Sequence, residues 1–256
     1  MHTISIANQK GGVGKTATAH ALGVVLAGQG QRVLLVDVDP QSSLTQACGV
    51  NDAAGRSLAD VLGGSTRGTL SMSDVIVNLE DGLDLAPADI ALAGVELGLT
   101  SRLGRENVLK KALANVTDYD LCIIDCPPSL GLLTVGALVA ADGVMVPTQP
   151  QSADLRGLAL FLGTLEQIKE ELNPDLELLG VLVTFYDRRL NHHKAALEAM
   201  QGAELPVIDV IVGRSVRVAE AAGLSQSVVT FEPRNPQAEN YRQLAEVVKQ
   251  WLNNQT

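Results

Sequence analysis

"NQKGGVGKTATAH", Asn8 to His20, places a glycine-rich turn between the apolar run "HTISIAN" (2 to 8) and a segment of helical spacing (15 to 29). A strand, a turn of small residues and a Lys-Thr pair at a helix start form a phosphate-binding loop, because backbone N–H groups and the helix N-terminus together attract anions. In that loop Gly11, Gly12, Val13 and Gly14 line the phosphates, Lys15 meets the β- and γ-oxygens of a nucleotide, and the Thr16 hydroxyl ligates Mg²⁺. The pattern GxxxxGK[ST] asks for glycine at position 9, where this chain has Gln9 with Lys10 beside it. Two lysines therefore flank a loop that needs one.

Outward from the loop, short β-branched runs alternate with longer helical patterns. Strands are predicted at 31 to 39, 83 to 88, 119 to 126, 143 to 149, 176 to 185, 206 to 212 and 227 to 231, besides 2 to 8, and helices at 101 to 115, 152 to 172, 191 to 201 and 236 to 253. Such alternation predicts an α/β fold, a doubly wound and mostly parallel sheet with helices on both faces, whose ligands gather at the carboxyl ends of the strands. Residues 49 to 82, rich in Gly, Ser, Asp and Asn, are expected to form loops and short helices. No repeat or long linker divides the 256 residues, so one domain spanning 1–256 is expected.

Composition narrows the class. Aromatic residues make up 3% against 46% hydrophobic, which requires a core of Val, Leu, Ile and Ala such as parallel strands covered on both faces provide. No apolar stretch is long enough to span a membrane and no signal segment opens the chain, so a cytoplasmic protein is expected. Three cysteines, Cys48, Cys122 and Cys126, fit a reducing compartment, and alternation along "LCIIDC" puts Cys122 and Cys126 on one side of a packed sheet as buried structural thiols. A net charge of −10 leaves room for nucleic-acid binding only through a local basic patch.

Three carboxylates complete the candidate site. Asp37 and Asp39 end the strand "VLLVDVDP" on the same side, and Asp125 ends "CIIDC". Alone, each is a polar strand end. Beside a phosphate loop, a strand-end carboxylate can hold the metal shell, and a second can orient water for in-line displacement.

Together "KGGVGKT", "LLVDVDPQ" and "IIDCPPSLGLLTVGALVAADGVMVPTQ" resemble the deviant Walker A ATPases of the ParA/Soj/MinD group, ParA/Soj above all, from residue 3 to about residue 248. The resemblance implies ATP and Mg²⁺ as cofactors and a homodimer formed on ATP binding. Lys10 is then the signature lysine that crosses to the partner's phosphates, and Lys15 serves its own nucleotide. Asp39 matches the catalytic, water-positioning carboxylate, Asp37 the carboxylate near Mg²⁺ and Asp125 the Walker B residue. Two positions depart from the commonest form. Ala17 stands where a second threonine often follows "GKT", leaving its backbone N–H for the α-phosphate. Gly213-Arg214-Ser215 stands where Pro-Arg-Asn is usual, in a segment that contributes adenine contacts.

The resemblance further implies nonspecific binding of double-stranded DNA, a ParB-type partner and a nucleoid-associated location. "DRRLNHHK" (187 to 194) and "GRSVR" (213 to 217) supply the basic positions Arg188, Arg189, Lys194 and Arg217, which read by themselves are ordinary charge at a solvated helix start. Adjacent His192 and His193 diverge on a helix and do not suggest a metal site. Seven residues precede Asn8, so an operator-reading helix-turn-helix before the loop is not expected. Other readings are a relative positioning a protein cargo, a reductase of the nitrogenase iron-protein type, which would need cysteines at a dimer face, and a MinD-like membrane switch. Against the switch, the C-terminal segment carrying Leu244, Val247, Val248, Trp251 and Leu252 has few basic residues, so it is expected to dock on the domain, without stable membrane association.

Overall fold

Eight strands form one sheet in the order β3-β4-β2-β5-β1-β6-β7-β8, parallel except for the antiparallel edge pair β3 and β4. The computed structural model describes residues 1–53, 56–63 and 70–255. The part of the loop expectation that falls on 54–55 and 64–69 lies outside the described residues.

The strands are β1 (His2–Ile6), β2 (Val33–Asp37), β3 (Val77–Glu80), β4 (Leu83–Ala86), β5 (Leu121–Asp125), β6 (Gly143–Thr148), β7 (Glu177–Tyr186) and β8 (Val207–Gly213). Alternation within them sorts the core to two faces. Leu34, Val36, Cys122 and Ile124 point into one cluster, and Val33, Leu35, Leu121 and Ile123 into the other. Cys122 and Cys126 belong to the same cluster, 0% and 1% exposed, as the spacing required.

Helices close both faces. On one lie α3 (Leu58–Leu62), α4 (Met72–Val75), α5 (Ala91–Leu99), α6 (Val108–Leu113), α7 (Leu132–Ala140) and α8 (Ser152–Glu171). On the other, α1 (Lys15–Gly28) packs against α12 (Pro236–Asn254), with α2 (Ser43–Ala47), α10 (Val216–Gly223) and α11 (Val228–Phe231) beside them. The remaining helix, α9 (Asn191–Gly202), follows β7 and packs near α8. In α12 the side chains of Leu244 and Val248 are fully buried, and the Trp251 indole N–H donates to Glu177 Oε2 at 2.7 Å, so this helix docks on the sheet layer. Among the described residues no helix is long and apolar enough to cross a membrane.

Three expectations need correction. Residues 227 to 231 form no strand. Ser227 caps the single turn α11 by accepting from Val229 N–H at 3.3 Å, and Val228 turns inward, so local capping overrides the β-branched run. Within 49 to 82, Val77–Glu80 forms β3, an exposed edge strand whose alternation is too polar to read. The helix predicted at 101 to 115 is shorter, a 3₁₀ turn at Arg105–Asn107 leading into α6.

His20 on α1 is 8% exposed, and burial pushes its pKa down from 6.5 to about 4. The unfolded chain takes up a proton that the folded chain refuses, so this residue's contribution to stability is complete above about pH 6.5 and is lost progressively down to about pH 4. Its full size is about 3 kcal/mol. Urea unfolding at pH 7, 5.5 and 4.5 is expected to show His20→Leu losing less stability on acidification than the parent.

Candidate functional site

At the carboxyl end of β1 the chain enters the glycine turn held by Asn8. Its amide Nδ2 donates to the Pro147 carbonyl at 2.7 Å and its Oδ1 accepts the Lys10 N–H at 2.9 Å. Gly12 (φ 70°) and Gly14 (φ 88°) lie in the left-handed region where a side chain would strain the backbone. The carbonyls of Gly12 and Val13 are drawn away from the loop's centre, the first accepting from Gln149 Nε2 at 2.8 Å and the second 2.8 Å from the Thr184 hydroxyl. A trans peptide points its N–H opposite its carbonyl, so these bonds turn the N–H groups of Val13 and Gly14 the other way, as an anion cradle requires. Neither Gln149 nor Thr184 was legible in sequence, because each reaches the loop from a distant strand end.

Helix α1 starts directly from the turn, with Thr18 N–H donating to the Gly14 carbonyl at 2.9 Å. Lys15 is 7% exposed and its Nζ donates to the Lys10 carbonyl at 3.1 Å, while Lys10 itself lies on the exposed side of the loop. Burial lowers the Lys15 pKa, and the neighbouring carboxylates Asp125 and Asp39 oppose that shift. The two lysines thus occupy different surroundings, one inside the site and one at its rim.

Parallel register brings Asp37 of β2 directly beside Asp125 of β5, and Ile6 at the end of β1 beside Asp125 on its other side. The Thr16 hydroxyl donates to Asp125 Oδ2 at 2.7 Å, and Asp125 Oδ1 is buried with no hydrogen-bond partner among the described residues. Burial, and after it the charge of Asp37, holds the Asp125 pKa well above the carboxylate range. An orphaned buried carboxylate oxygen next to a hydroxyl is a set of hard donors, and Mg²⁺ takes few protein oxygens while keeping water and phosphate as its remaining ligands. Thr16 and Asp125 therefore fit that ion.

Asp37 differs. Its Oδ2 accepts from the N–H and hydroxyl of Thr45 at 2.8 and 2.7 Å, and its Oδ1 accepts from Asp39 N–H at 3.0 Å. Burial raises its pKa to about 6 against these bonds. Asp39, 8% exposed, accepts Gln41 N–H at 2.9 Å, and its charge reaches Lys15.

Beyond the loop an open groove runs between the ends of β7 and β8, lined in part by Tyr186, Arg188, Gly213, Arg214, Gln237 and Asn240. Gln237 Oε1 accepts Gly213 N–H at 2.6 Å and Asn240 Nδ2 donates to the Ile211 carbonyl at 2.8 Å, so α12 fixes the segment carrying Arg214. Ala17 and Gly213 line a small recess with Phe185, whose backbone is in the left-handed region (φ 52°). Arg188 and Arg189 border the same groove, and Lys194 is exposed on α9. Arg189 pairs with Asp187 at 2.6 Å, and Arg217 with Glu220 at 2.7 Å and Glu232 at 3.5 Å. His193 is buried and its Nδ1 accepts Asp187 N–H at 3.0 Å, a structural use of the ring.

A strand-loop-helix phosphate cradle at the centre of a parallel sheet, with a carboxylate on the neighbouring strand, defines a P-loop nucleotide-binding protein. A family model described as "AAA domain" matches residues 1–178. The sporulation initiation inhibitor protein Soj of Bacillus subtilis is 41% identical over 96% of this chain and 97% of its own, and the chromosome-partitioning ATPase Soj of Thermus thermophilus is 42% identical over 96% and 94%. Among solved structures, one titled as cobyrinic acid a,c-diamide synthase of Mycobacterium smegmatis with bound ATP analog and magnesium superposes with a TM-score of 0.84 at 39% identity, covering 98% of this chain and 96% of that one. The chain belongs to the ParA/Soj family of P-loop ATPases.

Asp125→Asn removes a buried charge while keeping an acceptor for Thr16. Urea unfolding of the ligand-free protein at pH 7 is expected to show the variant more stable than the parent by about 0.5–2 kcal/mol, the usual sign when a functional carboxylate is neutralised.

Proposed function

We propose that the protein is an ATP-dependent dimerising ATPase that binds DNA nonspecifically and segregates or positions it with a ParB-type partner. The observation that carries this reading is the unequal placement of the two lysines, Lys15 buried in the cradle and Lys10 exposed at its rim. Its membership of a family whose relatives are named for chromosome partitioning supports the cellular role.

In this reading the N–H groups of Gly11 to Ala17 and the Lys15 ammonium hold the triphosphate, and Thr16 and Asp125 hold Mg²⁺, with Asp37 behind them. Bound Mg²⁺ neutralises charge that develops on the phosphoryl oxygens. Asp39 accepts a hydrogen bond from the attacking water and orients it in line. Gly213 and Arg214 border the base. Lys10 reaches the partner protomer's phosphates, and because a charge-assisted contact of this kind exists only while the phosphates are bound, dimerisation follows nucleotide state. Turnover by the isolated protein is slow, on the order of 10⁻⁴ to 10⁻² s⁻¹, as for P-loop enzymes lacking a supplied transition-state charge.

Arg188, Arg189, Lys194 and Arg217 form the DNA-facing surface, doubled in the dimer. The side chains of Arg189 and Arg217 stay 84% and 52% exposed while paired, so DNA phosphates reach both and compete with Asp187, Glu220 and Glu232. The protein is cytoplasmic and associates with the nucleoid through this surface.

Sedimentation with a nonhydrolysable triphosphate and Mg²⁺ is expected to show a dimer for the parent and a monomer for Lys10→Ala at matched nucleotide occupancy. A parental sedimentation profile for Lys10→Ala removes the trans contact. Arg189→Ala with Arg217→Ala is expected to release DNA at lower salt than the parent while basal ATP turnover is unchanged. For about six phosphates engaged by the dimer, parental affinity falls roughly a thousandfold between low and moderate salt.

A further inference from the structure

The carboxylate of Asp37 is enclosed by its own chain. It is 0% exposed, and three donors reach it: the Thr45 N–H and hydroxyl on Oδ2 and the Asp39 N–H on Oδ1. Thr45, 2% exposed, sits in the middle of the short helix α2. Its hydroxyl is used twice, donating to Asp37 at 2.7 Å and accepting the Ala88 N–H at 2.9 Å just beyond β4. One hydrogen and one lone pair of a single oxygen thus tie together the ends of β2 and β4 and the middle of α2.

What this knot fixes is the backbone at Asp39. Asp39 N–H is bound to Asp37, its carbonyl accepts Ser42 N–H at 2.9 Å and its Oδ1 accepts Gln41 N–H at 2.9 Å. Ser42 completes the turn in the left-handed region (φ 56°). Thr45 bonds to Asp37 through its N–H and hydroxyl and to Ala88 through its hydroxyl, and its carbonyl accepts the Val50 N–H at 3.1 Å, so none of these partners belongs to the stretch from Gly11 to Thr16.

We infer that Thr45 is a positioning residue for hydrolysis: through Asp37 it holds the turn that carries Asp39. The inference rests on the reading of Asp39 as the residue that orients water. Since the hydroxyl touches the cradle at no point, its removal acts on turnover and spares nucleotide affinity. An error of about 1 Å in the placement of such a group costs on the order of a hundredfold in rate. Serine keeps the donor and the acceptor, and valine keeps the shape without either.

The experiment compares parent, Thr45→Val, Thr45→Ala and Thr45→Ser by single-turnover and steady-state ATP hydrolysis, by affinity for a fluorescent ADP with Mg²⁺, and by thermal melting. Thr45→Val is expected to lower kcat tenfold or more with Mg·ADP affinity within about twofold of the parent, and Thr45→Ser to return kcat to within about threefold. Thr45→Ala, which adds no atom to the buried site, supplies the same comparison where the valine variant does not fold. Folded Val or Ala variants with parental kcat overturn the inference. So does a loss of Mg·ADP affinity as large as the loss of kcat, or a Ser variant as slow as the valine one. A parent that binds Mg·ADP and turns over no ATP, alone or with DNA, overturns the functional reading itself and takes this inference with it.

Discussion

The register that sets Asp37 beside Asp125 is the constraint around which the rest of the site is arranged. Burial displaces both carboxylates toward protonation, and the charge of Asp37 adds to the shift at Asp125. The molecule answers this differently on the two strands. Asp37 is surrounded by three donors of its own chain, whereas among the described residues Asp125 receives only the Thr16 hydroxyl and keeps one oxygen without a partner. Lys15 lies close enough to feel both Asp125 and Asp39, yet burial works against its own charge. An interior that holds excess negative charge and an unused oxygen acquires affinity for a small hard cation.

The cradle shows the same logic on the backbone. Phosphate binding needs N–H groups aimed inward, and a free loop of glycines has no reason to hold that orientation. Gln149 at the end of β6 and Thr184 near the end of β7 supply it by engaging the carbonyls of Gly12 and Val13. The ends of β6 and β7 thus brace the loop, and the helix N-terminus adds its field. The loop, Asp125 and Asp39 end up at one edge of the sheet because parallel strands all present their carboxyl ends on the same side.

At the periphery the arrangement is looser. The basic positions of β7 to α10 stand beside acids, as fits a chain of net charge −10, and the ion pairs they form there are weakened by salt. The groove lined by Arg188 and Arg214 opens next to that surface, so groove and basic positions share the loops after β7 and β8. Helix α12 underpins both through Gln237 and Asn240.

The sequence by itself determined the parallel α/β architecture, the phosphate loop and the three carboxylates, because each rests on local information: period-2 burial, glycines where the backbone turns left-handed, and polar residues ending apolar strands. Cys122 and Cys126 were legible for the same reason, since alternation alone assigns their side of the sheet. Local pattern failed where context overrides it. The β-branched run at 227 to 231 became a capped helical turn, and β3 formed from a polar stretch because β4 offered it an edge. Tertiary structure alone decided which carboxylate is enclosed and which is left open, and which side chains brace the loop. The partners involved, Thr45 with Ala88, Gln149 with Gly12 and Thr184 with Val13, are separated by 43 to 171 positions along the chain. Hydrogen bonds of that range are fixed by strand order and register, and neither can be read from any single segment.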